Sequence, residues 1–345
     1  MENPLYMQMV HKGCCDFKYY VDGFAGDAEV RQEHQLLEKK GVQLGYRSVS
    51  FDLHGNEYVA LQGANDKFLA LQGSVKANKK RITRQFKSTQ VFRDLAPNHI
   101  LEGISLKSDN EYTSAVFAYQ NVGEFKNFLS VVDPHLQYAN GKKLGRAIAL
   151  IHQDTLTGPQ KDKAEARRDV VHEKLTSYLT KGPRFNHETP ILSAIIDRID
   201  GLGDYKLTRR YGGLRLDNVF LTDTGNIILK PSASYGFGDA IEDLVLFECE
   251  DAGAMPCAVA GVIDGYFGGV TVPANFWVGF AIYSAIYSLT RCSEHARKSK
   301  EEQARMVAQS KRIMQDFEGF TRPIPRWYRS NIVKKARAEV KRLGI

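Results

Sequence analysis

A tight loop and the hairpin after it hold the residues whose types and order could support chemistry. The loop at 210–218 comes directly before two apolar runs, 219–221 and 227–229, and the turn residues between those runs predict a β-hairpin. Lys230 follows the hairpin, and Asp239 stands where it can cap the start of a helix. The segment therefore brings an amide, a lysine and a carboxylate into one stretch of chain, and these groups can hold or neutralise a charged ligand.

The order of loop, asparagine, hairpin and Gly-Asp helix start resembles that of aminoglycoside phosphotransferases, choline kinases and related small-molecule kinases. The family's loop reads H-G-D-x-x-x-x-N and its hairpin ends in I-D. Residues 144–152, LGRAIALIH, are similar to the family's G-R-x-L-A-x-L-H helix, 116–119 to its interlobe strand and 262–266 to the segment before its last helices. The resemblance covers roughly 50–320. It implies a bilobal, protein-kinase-like α+β fold with a small antiparallel-sheet N-lobe and a larger helical C-lobe.

The resemblance implies phosphoryl transfer, which needs an acidic group to orient the acceptor hydroxyl, ligands for Mg²⁺ and a lysine to neutralise the phosphates. The departures from the family pattern fall at the positions that would supply these groups. By motif position, Gly213 stands in place of the catalytic Asp and Tyr211 in place of the His. A glycine can neither accept a proton nor attract an acceptor. Asn218 matches the metal-binding Asn, whereas Lys230 stands where the family has its metal-binding Asp, and an ammonium repels Mg²⁺.

The first half of the chain also departs from the family pattern at positions that would carry charged groups. Strand 69–72 resembles the strand that carries the family's phosphate-binding lysine, and Gln72 stands at that position. The helix that should supply the partner Glu offers Lys87 or Ser88 instead. The concerted loss of these ionic groups predicts a pseudokinase, without catalytic residues or phosphotransferase activity, that acts as a protein-binding or scaffolding module. No cofactor and no metal are expected, and ATP binding without Mg²⁺, at Asn218 and Lys230, stays open.

Other interpretations remain. Asp217 or Asp223 could replace the missing acid, which would make the chain an active small-molecule kinase with displaced catalytic groups. The segment 211–231 could also be an ordinary turn and hairpin in an unrelated fold. A third possibility is a nucleic-acid-binding protein that uses the kinase-like frame only to present basic surfaces.

Two basic segments are candidates for binding nucleic acid or an acidic protein. The segment 322–342 contains eight basic residues, one acidic residue and, among them, two adjacent aromatic residues. A second cluster at 76–93 contains no acidic residue. The candidate binding residues are Arg326, Trp327, Tyr328, Arg329, Lys334, Lys335, Lys79, Lys80 and Arg81. The alternative for the tail is a solvated helix whose Trp327 packs on the body of the protein.

The composition is that of a folded protein: 43% of the 345 residues are hydrophobic, enough to bury a substantial core. The five cysteines form no C-x-x-C pair, and the nine histidines have no metal-ligand spacing. The start of the sequence lacks the pattern of a secretory signal, so an intracellular, cytoplasmic protein is expected. The uncharged stretch at 265–290 is interrupted by polar residues and glycines, which favours a buried core helix over a membrane span.

The chain is predicted to comprise an N-terminal extension at 1–48, an N-lobe at 49–120, a C-lobe at 121–321 and a basic C-terminal tail at 322–345. Strands are predicted at 5–10, 49–53, 58–61, 68–72 and 112–119. Helices are predicted at 27–40, 82–95, 125–131, 136–153, 169–180 and 190–201, with further helices towards the end.

Overall fold

The computed structural model describes residues 45–51, 57–62, 67–108, 112–119, 122–156, 167–181, 184–203, 205–222, 224–296 and 299–345. Its strands are β1 (Gly45–Phe51), β2 (Glu57–Gln62), β3 (Lys67–Ser74), β4 (Glu102–Ser108), β5 (Tyr112–Tyr119), β6 (Val122–Glu124), β7 (Thr208–Arg210), β8 (Val219–Thr222), β9 (Ile227–Leu229) and β10 (Gly236–Gly238). Its α-helices are α1 (Val75–Arg93), α2 (Phe125–Val131), α3 (Pro134–His152), α4 (Arg167–Lys181), α5 (Glu188–Ile196), α6 (Ile241–Glu250), α7 (Pro256–Tyr266), α8 (Ala274–Ala296), α9 (Lys300–Asp316) and α10 (Asn331–Leu343).

The described residues form two compact units. Unit 1 contains the described residues up to Val131 together with those of Leu216–Tyr235, and unit 2 contains the described residues of Val132–Arg215 and Gly236–Ile345. The hairpin that was predicted as part of the C-lobe thus has most of its contacts with unit 1, and the tail helix belongs to unit 2. The predicted lobe boundaries at 120 and 321 stay predictions, because the compact units follow contacts rather than continuous stretches of chain.

Unit 1 is built on an antiparallel sheet in the order β1-β2-β3-β5-β4. Helix α1 packs on this sheet, and its Phe86 ring lies 5.9 Å from that of Phe117 in β5. Phe220 of β8 completes the same apolar cluster, so the hairpin shares a core with the sheet. A smaller sheet, β6-β8-β9, carries the hairpin.

Unit 2 is helical apart from the short pair β7-β10. Its centre is α8, in which Phe276, Trp277 and Phe280 are buried, as expected of a core helix. The tail helix α10 packs on α3 and is fixed by Arg337, which donates to Asp264 at 2.7 Å. Burial of its apolar stripe makes α10 part of the unit 2 core.

The helices α3 and α7 approach until their backbones touch. A Cβ on Gly145 of α3 would lie 2.0 Å from the Val262 carbonyl oxygen, and one on Gly265 of α7 would lie 2.2 Å from the Lys142 carbonyl oxygen. Only residues without side chains allow this separation. The two segments whose sequences resemble the kinase family, 144–152 and 262–266, therefore form one closely packed helix pair.

The predicted fold class is confirmed, and so are β2, β3, β5, the hairpin and helices α2 to α5, with end shifts of a few residues. The prediction missed β4, and it started α1 seven residues too late. The strand predicted at 5–10 and the helix predicted at 27–40 lie outside the described residues. Among the described helices, none combines the length and apolarity that crossing a membrane requires.

Candidate functional site

The loop at the predicted site is anchored in unit 2 by Asp243 of α6. The backbone amides of Tyr211 and Gly212 donate to its two carboxylate oxygens at 2.7 and 2.8 Å. The His152 ring Nε2 lies 3.1 Å from the same carboxylate, and its Nδ1 lies 3.1 Å from the Tyr266 hydroxyl. Asp243 is 1% exposed, so these hydrogen bonds are what allow its carboxylate to be buried.

The two positions that would carry the family's His and Asp have different structural roles here. The Tyr211 side chain is buried, and burial, aided by the charge of Asp243, raises its pKa above the usual tyrosine value, so the phenol stays neutral. Gly213 has φ +83°, the left-handed region, and a Cβ there would meet no atom within 4 Å. There is space for an aspartate at 213, but the backbone conformation favours glycine.

A cavity of about 380 Å³ opens beside this loop within unit 2. Gly213, Arg210 and Glu242 contribute to its wall, together with apolar side chains of α6 and the Tyr283 side of α8. Glu242 accepts from Arg210 at 2.7 Å and lies 3.1 Å from the Lys174 ammonium, so one carboxylate is shared by two cations. The wall thus combines an apolar floor with a few charged groups, as small-molecule sites do.

The hairpin places Asn218 and Lys230 side by side in unit 1. The Lys230 amide donates to the Asn218 carbonyl at 3.0 Å, directly after β9. The Lys230 ammonium donates to both oxygens of Glu124 at 3.0 and 2.8 Å and lies 4.5 Å from the centre of the Phe220 ring. Its side chain is 7% exposed and that of Glu124 is 18% exposed. Lys230 is therefore one half of a largely buried ion pair.

Asp217, one of the two candidate replacement acids, forms an ion pair with Lys126 of α2 at 2.9 Å. The two side chains are 42% and 30% exposed. The other candidate, Asp223, lies outside the described residues. Asp217 keeps a carboxylate near the surface of unit 1, with a cation already beside it.

The helix α1 holds the segment after the hairpin. Ser88, at the position of the family's Glu, is buried, and its Oγ accepts from the Ser232 amide at 3.0 Å. Arg84 donates to the Ala233 and Tyr235 carbonyls at 2.6 and 2.9 Å. Lys87, the alternative at that position, is exposed. Gln72 lies in β3, with its backbone paired to β2 and β5, so it is on a strand as predicted.

The structure separates the basic candidate residues into buried and exposed groups. Trp327 is 7% exposed and its Nε1 donates to buried Glu248, while the Tyr328 hydroxyl donates to Asp264 at 2.5 Å. These contacts remove both aromatic side chains from the candidate stacking surface and favour the alternative in which Trp327 packs on the body. Exposed members of the set are Arg326, Arg329, Lys334, Lys335, Lys79 and Lys80, and Arg81 is half-buried.

The sequence interpretation missed the partners that fix the site. Glu124, Lys126 and Asp243 were not singled out, although each contacts a residue that was. Asp243 lies four residues after Asp239, in the segment that resembles the kinase family. The repeated carboxylates there could have identified Asp243 as a site residue. Nothing in the local sequence marks Glu124, which is 106 residues from its partner.

At the hairpin position that the sequence analysis matched to a metal ligand of the kinase family, the side chain is that of Lys230. A metal ligand must offer a lone pair on oxygen, and Lys230 offers an ammonium instead. The carboxylate beside it, Glu124, already accepts two hydrogen bonds from that ammonium. The Lys230–Glu124 pair therefore does not fit the role of a divalent-cation ligand.

Comparison with known proteins gives the fold. No family model and no curated protein matches the sequence. Aminoglycoside phosphotransferase APH(4)-Ia superposes with a TM-score of 0.57 at 12% identity, over 84% of this chain and 99% of that chain. Its thermostable mutant in complex with ADP and hygromycin B gives 0.57 at 13% identity, over 82% and 97%. The macrolide 2′-phosphotransferase MphH from Brachybacterium faecium gives 0.53 at 12% identity, over 80% and 96%.

Proposed function

Starting from the protein-kinase-like fold that this chain shares with small-molecule phosphotransferases, we propose that it is a pseudokinase that serves as a protein-binding or scaffolding module. The observation that carries the proposal is the Lys230–Glu124 pair next to Asn218. It fills the place of a metal ligand with a cation and neutralises that cation within the fold. Phosphoryl transfer depends on metal ions to bridge and neutralise the phosphates, so losing that position removes the largest electrostatic contribution to the reaction.

The same ion pair argues against ATP held without Mg²⁺. A lysine could act as counter-charge to a phosphate only if its ammonium were available to the ligand. Lys230 donates twice to Glu124 and is almost fully buried, so a phosphate would have to displace a bidentate carboxylate. We therefore expect this protein to bind ATP weakly or not at all.

The missing acid at 213 supports the proposal from the other unit. Gly213 adopts a left-handed conformation, and the loop around it is fixed by the Asp243 hydrogen bonds rather than by substrate. A binding module built on an enzyme fold needs the shape of this loop but not its acid, because one fold can serve different functions. The buried ionic groups then maintain the fold, and the surfaces are left to contact partners.

The test is nucleotide binding by thermal shift, with ATP alone and ATP with Mg²⁺, and an active aminoglycoside phosphotransferase as the positive control. A ligand that binds only the folded state raises the apparent stability by mass action. The proposal expects no Mg²⁺-dependent rise in Tm for this chain and a clear rise for the control. Mg²⁺-dependent stabilisation followed by ADP release would overturn it.

An active small-molecule kinase is the second candidate, and the cavity of about 380 Å³ beside Gly213 is the observation that favours it. Residue 213 carries no acid, so turnover would need a carboxylate from another position, and Asp217 is the described candidate from the sequence. The measurement is ADP production with a panel of hydroxyl-bearing small molecules. Turnover that is abolished by Asp217→Asn would support this candidate against the pseudokinase.

A further inference from the structure

The positive charge of unit 2 is concentrated on two helices that pack together, α3 and α10. Helix α3 contains no acidic residue and carries Lys142, Lys143 and Arg146. Helix α10 carries five basic residues and one acidic residue, Glu339. Such an imbalance on adjacent helices produces a positive potential that a mixed surface does not have.

Some of the α10 cations are neutralised within the fold. Arg337 pairs with Asp264 at 2.7 Å, and Arg342 pairs with Glu339 on its own helix. Lys334, Lys335 and Lys341 are exposed and form no salt bridge to the described residues of the chain. The excess charge of α10 is therefore presented to solvent.

The two helices meet at the Tyr138 ring of α3. The Lys142 ammonium lies 6.0 Å from the centre of this ring and the Arg337 guanidinium 5.9 Å from it. Both helices thus bring cations to the same junction. The basic face is defined as Lys142 and Arg146 of α3 together with Lys334, Lys335 and Lys341 of α10.

We propose that the basic face binds the phosphate backbone of a nucleic-acid duplex. Phosphate contacts need only lysine and arginine side chains and carry no requirement for base stacking. Binding of single strands relies on aromatic side chains that stack on bases, and here Trp327 and Tyr328 are directed into the fold. The chemistry of the face therefore fits a duplex better than a single strand.

An acidic protein is the competing partner, and the apolar pattern of α10 argues against it. Protein interfaces are organised around a buried apolar or aromatic centre. The large exposed apolar side chains of α10, Ile332 and Leu343, stand at its two ends, and its cations lie between them. A charged centre with apolar ends is the reverse of the usual arrangement.

The experiment measures binding of the full chain to a fluorescently labelled 20-base-pair DNA duplex by anisotropy at several salt concentrations. If three to six phosphates are contacted, log K should fall with log salt with a slope of about −3 to −5. Absence of binding at 50 mM salt would overturn the proposal.

Matched triple variants separate the face from the net charge. R146Q/K334Q/K335Q removes three charges from the basic face, and K79Q/K80Q/K87Q removes three from exposed positions of α1. The first variant should lower the magnitude of the salt slope by about 2 to 3, and the second by less than about 1. Equal losses in the two variants would overturn the proposal, because binding would then follow overall charge.

A charge-preserving variant guards against misfolding. K334R/K335R should bind as the wild type does, because it keeps the charge at both positions. Loss of binding in K334R/K335R with an unchanged Tm would also overturn the proposal, since phosphate attraction at this face does not require lysine specifically.

Discussion

The ammonium of Lys230 donates to both carboxylate oxygens of Glu124, which ties the end of the β8–β9 hairpin to β6. The pair has little access to water, so each charge depends on the other for solvation. Lys230, which the proposal places at a former metal-ligand position, is thus a structural element of unit 1. This predicts that the ion pair makes a measurable contribution to stability.

Glu124→Gln should destabilise unit 1 strongly, because it leaves the Lys230 ammonium buried without its counter-charge. Breaking such a pair costs about 3 kcal/mol, whereas replacing both partners by uncharged residues of similar size is much less costly. The double variant Glu124→Gln/Lys230→Met should therefore recover most of the lost stability, and urea unfolding of the three proteins measures the effect.

The matched control is the more exposed pair of Lys126 in α2 and Asp217, which lies just before β8 in the same unit. Removing one partner there, as in Asp217→Asn, should change the free energy of unfolding by less than about 1 kcal/mol because water solvates the remaining charge. If Glu124→Gln were as mild as Asp217→Asn, the buried pair would not be a structural element.

Gly145→Ala should separate α3 from α7. The added Cβ would lie 2.0 Å from the Val262 carbonyl oxygen, which cannot move without its helix. Overpacking of this kind costs about 1–3 kcal/mol or more. Gly201→Ala is the control, because a Cβ at 201 meets nothing within 4 Å. Thermal unfolding should show a lower Tm for Gly145→Ala alone, and equal values would contradict the close packing.

The sequence predicted those elements whose signal is local. The hairpin β8–β9 has turn residues between two apolar runs, and β5 and α2 were predicted at their observed bounds. Strand β4 was missed because Gly103 and a mixed polar pattern weaken its β signal, and pairing with β5 determines its conformation. The early start of α1 follows from Lys, Ala and Arg residues that favour a helix without an apolar stripe.

The candidate site, like the fold, could be predicted only where its signal is local in the sequence. Departures from the kinase motif could be predicted at Gly213 and Lys230 from the sequence, because each position has a residue type that differs from the motif. Their structural consequences are not visible, since the partners of Lys230 and of the loop are more than thirty residues away in the chain. Trp327 illustrates the converse: an aromatic residue among basic ones indicated a binding surface, yet tertiary packing turned it towards Glu248.

Glu248→Gln should alter how stability depends on pH. Burial raises the pKa of Glu248 to about 7, against the opposing charge of Arg312, whereas the unfolded carboxyl has a pKa near 4.5. Between these values the folded protein keeps a proton that the unfolded chain has released, so the wild type loses stability as pH rises through this window. The variant has no proton to lose there, so it should gain relative to the wild type between pH 5 and 8, by on the order of 1 kcal/mol or more.

The control for the pH effect is Glu339→Gln. Arg342 lowers the pKa of the exposed Glu339, so this group is ionised in both states above pH 5. The difference in unfolding free energy between Glu339→Gln and wild type should therefore stay flat from pH 5 to 8. A flat difference for Glu248→Gln as well would contradict the raised pKa of the buried carboxyl.

Gly213→Asp restores the acid at the family's catalytic position without restoring activity. The backbone at 213 has φ +83°, where a side chain costs about 1 kcal/mol or more, so Gly213→Asp and Gly213→Asn should both lower the Tm slightly. Neither should produce ADP from Mg²⁺-ATP, because Lys230 still occupies the metal position and is neutralised by Glu124. Activity in Gly213→Asp but not in Gly213→Asn would mean that the acid alone had been limiting, and the argument from Lys230 would fail. Inactivity of both variants, with ATP leaving their Tm unchanged, would place the defect in the ionic groups of unit 1, where the metal ligand has been lost.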